Sequence, residues 1–182
     1  MAKSYQLFEL NSELRFPIVS KIKGALFVDA GNTFTKDTAI TNIQPTITGT
    51  TTGFSVSPAL PTGLFLDTTT GVISGTPTVL SALTSYVVTA SNSSGSTNAT
   101  VSFAVNKATP VLSSFNAITK TTDNAPFTLM APISSAGTGA ITYSSSNASV
   151  ATISGNVVTI TGSGTAIITA TQAADTNYNS QT

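Results

Sequence analysis

Residues 60–77 read LPTGLFLDTTTGVISGTP, and this stretch decides the fold that the sequence predicts. Leu64 and Leu66 lie two positions apart, so they share one face of a strand while the residue between them takes the other. Asp67 begins a turn in which its carboxylate accepts a backbone N–H two residues later, and Gly71 takes a positive φ without steric cost. The stretch therefore predicts two short strands joined by a tight turn.

The composition of the whole chain favours the same class of structure. The chain has 182 residues, of which 40% are hydrophobic and 8% are charged. It is rich in Thr, Val and Ile, whose β-branched side chains fit a pleated, half-buried strand surface better than a helix. This length suits one or two domains of modest size. We therefore predict an all-β protein.

Charge and residue content argue against several partners and cofactors. The 7 basic and 7 acidic residues cancel, and they form no Lys/Arg stripe, so we expect no binding to nucleic acid. With no Cys and no His, the chain has no thiolate and no imidazole for catalysis or metal binding, and we predict no cofactor. The first residues contain no apolar run of the length that a secretory signal needs. An extracellular location would then require an export signal that is not in this chain.

The stretch at 60–77 resembles the signature LPxGLxxDxxTGxIxGTP of a bacterial Ig-domain family, cadherin-related modules of secreted and surface proteins. The matching positions are Leu60, Pro61, Gly63, Leu64, Asp67, Thr70, Gly71, Ile73, Gly75, Thr76 and Pro77. The resemblance implies an Ig-like β-sandwich over residues 34–106.

Two runs of alternating residues supply candidate core strands for this module. Tyr86, Val88 and Ala90 share one face of the first run. In the second run the inward positions are Thr97, Ala99, Val101, Phe103 and Val105. Alternation also buries most of the aromatic candidates for a sugar-binding platform, which are Phe54, Tyr86, Phe103 and Tyr143. We therefore assign most of these residues to the core, and Tyr178 is the aromatic residue least committed to it.

Residues 107–182 resemble a second bacterial Ig-like repeat, through the pattern YxSSNxxVAxISGNxVTIxGxGTAxITATQ…NYN from Tyr143 to Tyr178. Ala166, Ile168 and Ala170 share one face of its last strong strand. Residues 107–110 are predicted to form the linker, because Pro110 favours an extended chain. We expect this module to be incomplete at its C-terminus, since the strand that normally completes it does not follow.

Residues 1–33 have a different character, because nine of the chain's charged residues lie within the first 37. Residues 6–16 alternate in the way that a transmembrane β-strand requires. The motifs ELRFPI at 13–18 and GALFVDAGN at 24–32 resemble barrel strands near the C-terminal end of the outer-membrane assembly-factor and surface-antigen family. We predict an amphipathic β-hairpin over 1–33, whose second strand ends at Gly31 and Asn32.

This N-terminal segment has three interpretations. It is a remnant of an outer-membrane barrel, a soluble amphipathic hairpin, or the product of a fusion or sequence-assembly join, and we favour the last. Any membrane association would involve residues 1–33 alone.

Candidate reactive groups are few. Beyond residue 37 the acidic residues are Asp67, Asp123 and Asp175, which lie far apart in sequence and each suit a turn. We therefore predict no catalytic residues and no enzyme activity. Asp67 is a weak calcium candidate, since calcium requires several oxygen ligands and a turn explains this residue better.

These features lead to one functional prediction and two alternatives. We predict a non-catalytic Ig-like repeat segment of a larger bacterial protein, extracellular or on the cell surface and associated with the outer membrane. It would act as a spacer or adhesion module, with further Ig-like repeats and a protein or glycan ligand as its partners. The alternatives are a carbohydrate-binding accessory module of a secreted hydrolase and a fragment of an outer-membrane barrel protein.

Overall fold

The computed structural model describes residues 24–26, 30–114 and 116–182. The chain divides into two compact units, Met1–Asn106 and Lys107–Thr182. In the described residues the regular elements are β-strands, as predicted for an all-β chain. None of the described residues forms a helix with the length and apolarity needed to cross a membrane.

The strands of the first unit form two layers. Their bounds are β1 Gly24–Leu26, β2 Ala30–Thr35, β3 Thr46–Thr48, β4 Gly53–Ser57, β5 Leu64–Leu66, β6 Ile73–Gly75, β7 Ser81–Asn92 and β8 Gly95–Asn106. One layer is a four-stranded sheet in the order β2-β8-β7-β4, in which β2 runs parallel to β8 and the other pairs are antiparallel. The other layer contains the pairs β5-β6 and β1-β3, and the backbones of Ile43 and Ile73 also pair there.

The core of the first unit contains the side chains that alternation predicted. Tyr86, Val88 and Ala90 of β7 are buried, and Val101 and Phe103 of β8 are buried opposite them. The Phe103 ring is fully buried and stacks on Tyr86 with the ring centroids 4.5 Å apart. Burying aromatic rings in such pairs adds to the free energy gained from removing apolar area from water. The predicted inward faces of these two strands are confirmed.

The start of the first unit differs from the sequence prediction. The predicted strand end at Gly31 and Asn32 is wrong, because β2 continues through both residues to Thr35. The parallel pairing with β8 holds this strand in the sheet, and Phe34 packs 5.1 Å from Phe103 between ring centroids. β2 therefore extends across the predicted boundary between residues 33 and 34, which stays a prediction. The first strand of the predicted hairpin, residues 6–16, lies outside the described residues.

The second unit is also built of two small sheets. Its strands are β9 Phe127–Thr128, β10 Ile141–Ser145, β11 Ala151–Ser154, β12 Val157–Ile160 and β13 Ile168–Gln172. One sheet has the order β11-β12-β9, and the other is the antiparallel pair β10-β13. The buried residues of the core are Leu129, Ala151 and Val158, with half-buried Tyr143 and Ile168 among the side chains packed around them. This core has fewer buried large side chains than the core of the first unit.

The segment predicted as a linker is a part of the second unit. The backbone of Ala108 pairs in parallel with Tyr178, and the carbonyl oxygen of Ala108 accepts a hydrogen bond from the Asn179 N–H at 2.8 Å. The ammonium of Lys107 donates to the carbonyl oxygen of Asp175 at 2.6 Å, and Pro110 is buried. Residues 107–110, predicted as a linker, are thus bonded into the second unit, which begins at residue 107 as predicted for the second domain. Alternation did not reveal these bonds because the partners lie about 70 positions away in the sequence.

A glycine substitution tests the packing of the first unit. Gly63 has φ +94°, and a Cβ on it would overlap the carbonyl oxygen of Thr76. Gly63→Ala should lower the free energy of unfolding by about 3 kcal/mol or more, because the strained φ alone costs about 1–3 kcal/mol. Urea denaturation followed by circular dichroism would measure the change.

Gly53→Ala is the matched control for this substitution. A Cβ at Gly53 would meet the Thr68 carbonyl oxygen at 3.6 Å, which is an ordinary contact. We expect a change within about 1 kcal/mol, since alanine is at least as favourable as glycine inside a strand. Equal effects of the two substitutions would contradict the close backbone contact at Gly63.

Candidate functional site

The turn between β5 and β6 has the geometry that the signature predicts. The Oδ1 atom of Asp67 accepts hydrogen bonds from the backbone N–H groups of Thr69 and Thr70, at 2.8 and 3.0 Å. The carbonyl oxygen of Asp67 accepts the Gly71 N–H at 2.8 Å, and Gly71 has φ +76°. Local hydrogen bonds of this kind are typical of aspartate in turns. Asp67 is thus part of the turn itself.

These bonds also set the electrostatics of Asp67. The backbone N–H of Thr70 and then that of Thr69 lower the pKa of the carboxyl below its ordinary value, and these bonds outweigh the opposing effect of desolvation. A cation at this turn would need further oxygen ligands, usually several carboxylates. In the part of the chain that the structure describes, no three Asp, Glu, His or Cys residues gather into a group that could hold a metal ion.

A second aspartate, Asp175, connects distant parts of the second unit. Its Oδ1 accepts the backbone N–H groups of Asn177 and Tyr178, both at 2.8 Å. Its Oδ2 accepts the N–H of Thr138 at 2.7 Å, and its carbonyl oxygen accepts from Lys107. The sequence predicted that Asp175 forms a turn, but it gave no sign of the partners at Thr138 and Lys107. The pKa of Asp175 is lowered, chiefly by the backbone N–H of Thr138 and then by that of Asn177.

Gln172 is a buried polar residue next to this aspartate. Its side-chain oxygen accepts a hydrogen bond from the Ser134 hydroxyl at 2.6 Å, and its amide nitrogen donates to the Ala136 carbonyl at 3.1 Å. Both polar ends of the buried side chain are therefore satisfied, which removes the cost of burying an unpaired amide. Gln172 and Asp175 together fix residues 134–138 to the end of β13.

A polar groove of about 600 Å³ lies beside β2 in the first unit. Its polar lining consists of the side chains of Asn32, Thr33, Thr35, Thr38, Thr41, Asn42 and Gln44. Phe34 and Ile40 add apolar surface to it. Among the described residues that line the groove none is charged, so the chemistry they offer is that of amides and hydroxyls. The sequence did not predict this groove, because the residues that line it form no recognised motif.

The side chains of the aromatic candidates for a sugar-binding platform are buried or half-buried. Phe54, Tyr86 and Phe103 are buried and Tyr143 is half-buried, in agreement with their assignment to the core. Tyr178 is half-buried as well. Phe65 was not considered as a binding residue, but 67% of it is exposed on the outer face of β5. The exposure of Phe65 could have been predicted from its position between Leu64 and Leu66, because alternation directs its side chain away from the core.

The three aspartates beyond residue 37 do not all belong to one unit. Asp67 lies in the first unit, and Asp123 and Asp175 lie in the second. The carboxylates of Asp67 and Asp175 both accept backbone hydrogen bonds. Each of these two groups thus has a structural role in its own turn.

The lowered pKa of Asp175 predicts an acid-sensitive second unit. A carboxyl whose pKa is lower in the folded state stabilises that state above the unfolded pKa, near 4, and loses this effect as the pH falls through the folded pKa. Asp175→Asn should therefore destabilise the second unit at pH 7, and the difference from the wild type should shrink below about pH 3. Hydrogen exchange of amides in β10 and β13 would follow the unit from pH 7 to pH 2.5.

Asp123→Asn is the control for the Asp175 substitution. It makes the same change in net charge at a carboxylate that accepts no hydrogen bond among the described residues. We expect its stability to stay near that of the wild type at every pH. A parallel pH dependence for the two variants would show that Asp175 does not anchor this unit.

Calcium should have little effect on the folded chain. Asp67 offers one carboxylate, and a tight site would have to bind the folded state alone to stabilise it by mass action. The melting temperature in millimolar calcium should match that in a chelator. A rise of about ten degrees with calcium, absent in Asp67→Asn, would identify Asp67 as a ligand.

Two family models match the chain. The model described as "Putative Ig domain" matches residues 17–106. The model described as "Intimin, immunoglobulin-like domain" matches residues 129–174. No curated protein matches the sequence.

Several solved structures are similar to the chain. A SusE-like surface-located polysaccharide-binding protein from the heparin utilisation locus of Bacteroides thetaiotaomicron has 18% identity and a TM-score of 0.41, over 88% of this chain and 32% of that chain. The chain thus spans about a third of that protein's length. Protocadherin gammaB7 domains EC3–6 have 16% identity and a TM-score of 0.37, over 84% of this chain and 42% of that chain. The titin M3 domain has 16% identity and a TM-score of 0.33, over 44% of this chain and 95% of that chain.

The family matches agree with the two units of the structure. The first match ends at residue 106, where the first unit ends, and the second lies within Lys107–Thr182. Such Ig-like families are typically non-catalytic and occur in bacterial surface proteins. The chain therefore contains Ig-like modules in tandem, the first matching the Ig-domain model over residues 17–106 and the second the intimin Ig-like model over residues 129–174.

Proposed function

We propose that the chain is a non-catalytic spacer or adhesion segment of a larger bacterial surface protein. The observation that supports this proposal is the presence of two successive Ig-like units, each with its own hydrophobic core. Units with separate cores can extend a protein without changing the fold of their neighbours, which suits a stalk. The match of the second unit to an intimin Ig-like domain supports a location at the cell surface.

The outward face of the large sheet supports a spacer role as well. Many of its exposed positions on β4, β7 and β8 carry small polar side chains, among them Ser55, Ser85, Asn98 and Thr100. Leu83 and Val87 of β7 are the large apolar side chains exposed beside them. Ser85 and Ser102 even share a hydrogen bond across the strands, with their hydroxyl oxygens 2.9 Å apart. A face without charges attracts neither nucleic acid nor anionic lipid, and hydroxyl groups keep it hydrated. Such a face can lie near a cell envelope without binding to it.

We further propose that the chain is associated with the outer membrane and that any attachment to the membrane is through residues 1–33. Its proposed partners are further Ig-like repeats of the parent protein and a protein or glycan ligand. The absence of enzyme activity is proposed on the same basis, since Asp67 and Asp175 are engaged in their turns.

Carbohydrate binding is the second candidate function, and the groove beside β2 is the observation that favours it. Neutral sugars present hydroxyl groups that amides and threonine hydroxyls can bind, and they present apolar faces that aromatic or aliphatic surface can cover. The side chains of Asn42 and Gln44 line this groove and make no hydrogen bond to the described residues. They are therefore available to a ligand.

Substitution of one core residue tests the spacer function. Phe103→Asp places a charge in the fully buried centre of the first unit, which should unfold that unit. If the units are separate, amides of β10 and β13 should keep their protection from hydrogen exchange. The conservative variant Phe103→Leu should leave both units folded. A loss of protection throughout the second unit in Phe103→Asp would show one cooperative structure and contradict a chain of independent modules.

A glycan array with the full chain separates a spacer from a carbohydrate-binding module. Neutral-glycan binding that falls at least about tenfold in Asn42→Ala would support the carbohydrate site, because a polar contact to a ligand contributes about 1–1.5 kcal/mol. Asn98→Ala, on the outer face of β8, is the matched control. A spacer predicts no saturable binding by any of the three proteins.

A further inference from the structure

Phe65 offers an exposed aromatic ring on the outer face of β5. Leu64 and Leu66 on either side of it pack in or against the core, so the ring lies on the opposite face and is largely exposed. The other aromatic side chains whose burial the structure describes are buried or half-buried. An exposed ring is apolar surface that a ligand can cover, and Phe65 is therefore the starting point for a binding site.

Strand pairing places a hydroxyl and an amide in one row with this ring. Phe65 is opposite Ser74 in the antiparallel pair of β5 and β6. Ile43 is opposite Ile73 in an antiparallel bridge, which places Asn42 beside Ser74. Ile43 and Ile73 are buried, so Asn42 and Ser74 lie on the outer face with Phe65. Adjacent strands are about 5 Å apart, and the row from Phe65 to Asn42 is therefore about 10 Å long.

A second row lies two residues along the same face. The Asp67 N–H donates to the Val72 carbonyl oxygen at 2.8 Å, which extends the pairing of β5 with β6. The pairing of Ile43 with Ile73 places Gln44 on the other side of Val72. Gln44 is exposed and Val72 is half-buried. We call the two rows together the outer platform, which consists of Phe65, Ser74, Asn42, Asp67, Val72 and Gln44.

The polar side chains of the outer platform suit the hydroxyl groups of a sugar. The Asn42 and Gln44 amides and the Ser74 hydroxyl form no hydrogen bond with other described residues. Amides and hydroxyls both donate and accept hydrogen bonds, as sugar hydroxyls do. The Phe65 ring offers the apolar surface that the C–H face of a pyranose covers. Asn42 and Gln44 also line the groove beside β2, so the outer platform and the groove are continuous at these two residues.

Charge limits the sugars that the outer platform can bind. Asp67 is its charged member, and the backbone N–H groups of Thr70 and then Thr69 lower the pKa of its carboxyl, so that it is ionised at neutral pH. Two positions along a strand correspond to about 7 Å, so a uronic acid or sulfate stacked on Phe65 would place a second negative charge near the first. Like charges at this distance repel each other, whereas a neutral sugar has no such penalty.

We propose that the outer platform binds a neutral oligosaccharide, with one pyranose ring stacked on Phe65. The hydroxyl groups of this sugar and of the next one bind to Ser74 and Asn42, and the sugar chain continues past Asn42 into the groove. This inference rests on the carbohydrate-binding function proposed above as the second candidate. It adds an aromatic contact outside the groove and a selection against acidic sugars.

An array of matched oligosaccharides tests the selection by charge with the full chain. The array pairs hexamers of glucose, mannose and galactose with hexamers of the corresponding uronic acids, and it includes hexamers of N-acetylglucosamine. The wild type should bind at least one neutral hexose hexamer saturably, and its uronic acid counterpart at least about fivefold more weakly. In Asp67→Asn, which keeps the Oδ1 acceptor and removes the charge, the two should bind within about threefold of each other. Stronger binding of the uronic acid hexamers to the wild type would overturn the proposal.

Substitutions of Phe65 test the stacking contact on the same array. Phe65→Ala should weaken binding of the neutral hexamer at least about tenfold, because it removes the apolar surface that the sugar covers. Phe65→Tyr keeps the ring and should bind within about threefold of the wild type. Leu83→Ala is the matched control, because Leu83 is exposed to the same extent on β7 of the other layer. We expect it to leave the affinity unchanged, and equal losses in Phe65→Ala and Leu83→Ala would overturn the proposal.

The outer platform and the carbohydrate function fail in different ways. If no oligosaccharide binds the wild type, both are wrong. If binding survives in Phe65→Ala and is lost in Asn42→Ala, the sugar lies in the groove alone, so the outer platform is wrong and the carbohydrate function stands. Sedimentation of the protein without sugar tests a second copy as the occupant. A dimer that Phe65→Ala abolishes, in a protein that binds no oligosaccharide, would assign this face to self-association and overturn the proposal.

Discussion

The close contact between two backbone segments of the signature is the constraint on which the first unit depends. Gly63 directly precedes β5, and Gly75 ends β6 opposite Leu64. A Cβ on Gly63 would overlap the carbonyl oxygen of Thr76, and a Cβ on Gly75 would overlap that of Gly63. The Thr76 N–H donates to the Gly63 carbonyl at 2.9 Å, which this approach makes possible. Both glycines have positive φ, a conformation that other residues adopt only at a cost.

This local contact has a long-range consequence for the core. It fixes the position of Ile73, which is fully buried and exchanges two backbone hydrogen bonds with Ile43, each at 2.9 Å. Ile73 and Leu64 then pack in the same cluster as Tyr86 and Phe103 of the opposite sheet. The glycines thus determine where one layer of the sandwich meets the other. The free energy comes from the buried side chains, and the glycines permit the geometry in which these can be buried.

The sequence predicted the faces of strands better than their partners. Alternation placed Tyr86, Val88 and Phe103 in the core, since the two faces of a strand follow directly from residue order. It could not predict that β2 pairs in parallel with β8, because neighbours in a sheet depend on contacts between residues far apart in the sequence. The turn at Asp67 was predictable as well, because a turn also follows from local residue order. The hydrogen bond from the Thr138 N–H to Asp175 joins residues 37 positions apart and was not predictable.

The two units reach stability by different means, and this difference affects how a tandem would respond to load. The first unit buries stacked rings between two sheets, whereas the second has a smaller apolar core and relies on polar anchors at Gln172 and Asp175. A polar anchor contributes less net free energy than a buried aromatic ring, because water satisfies the same groups in the unfolded chain. The second unit is then the weaker of the two, and a protein stretched through both would yield there first.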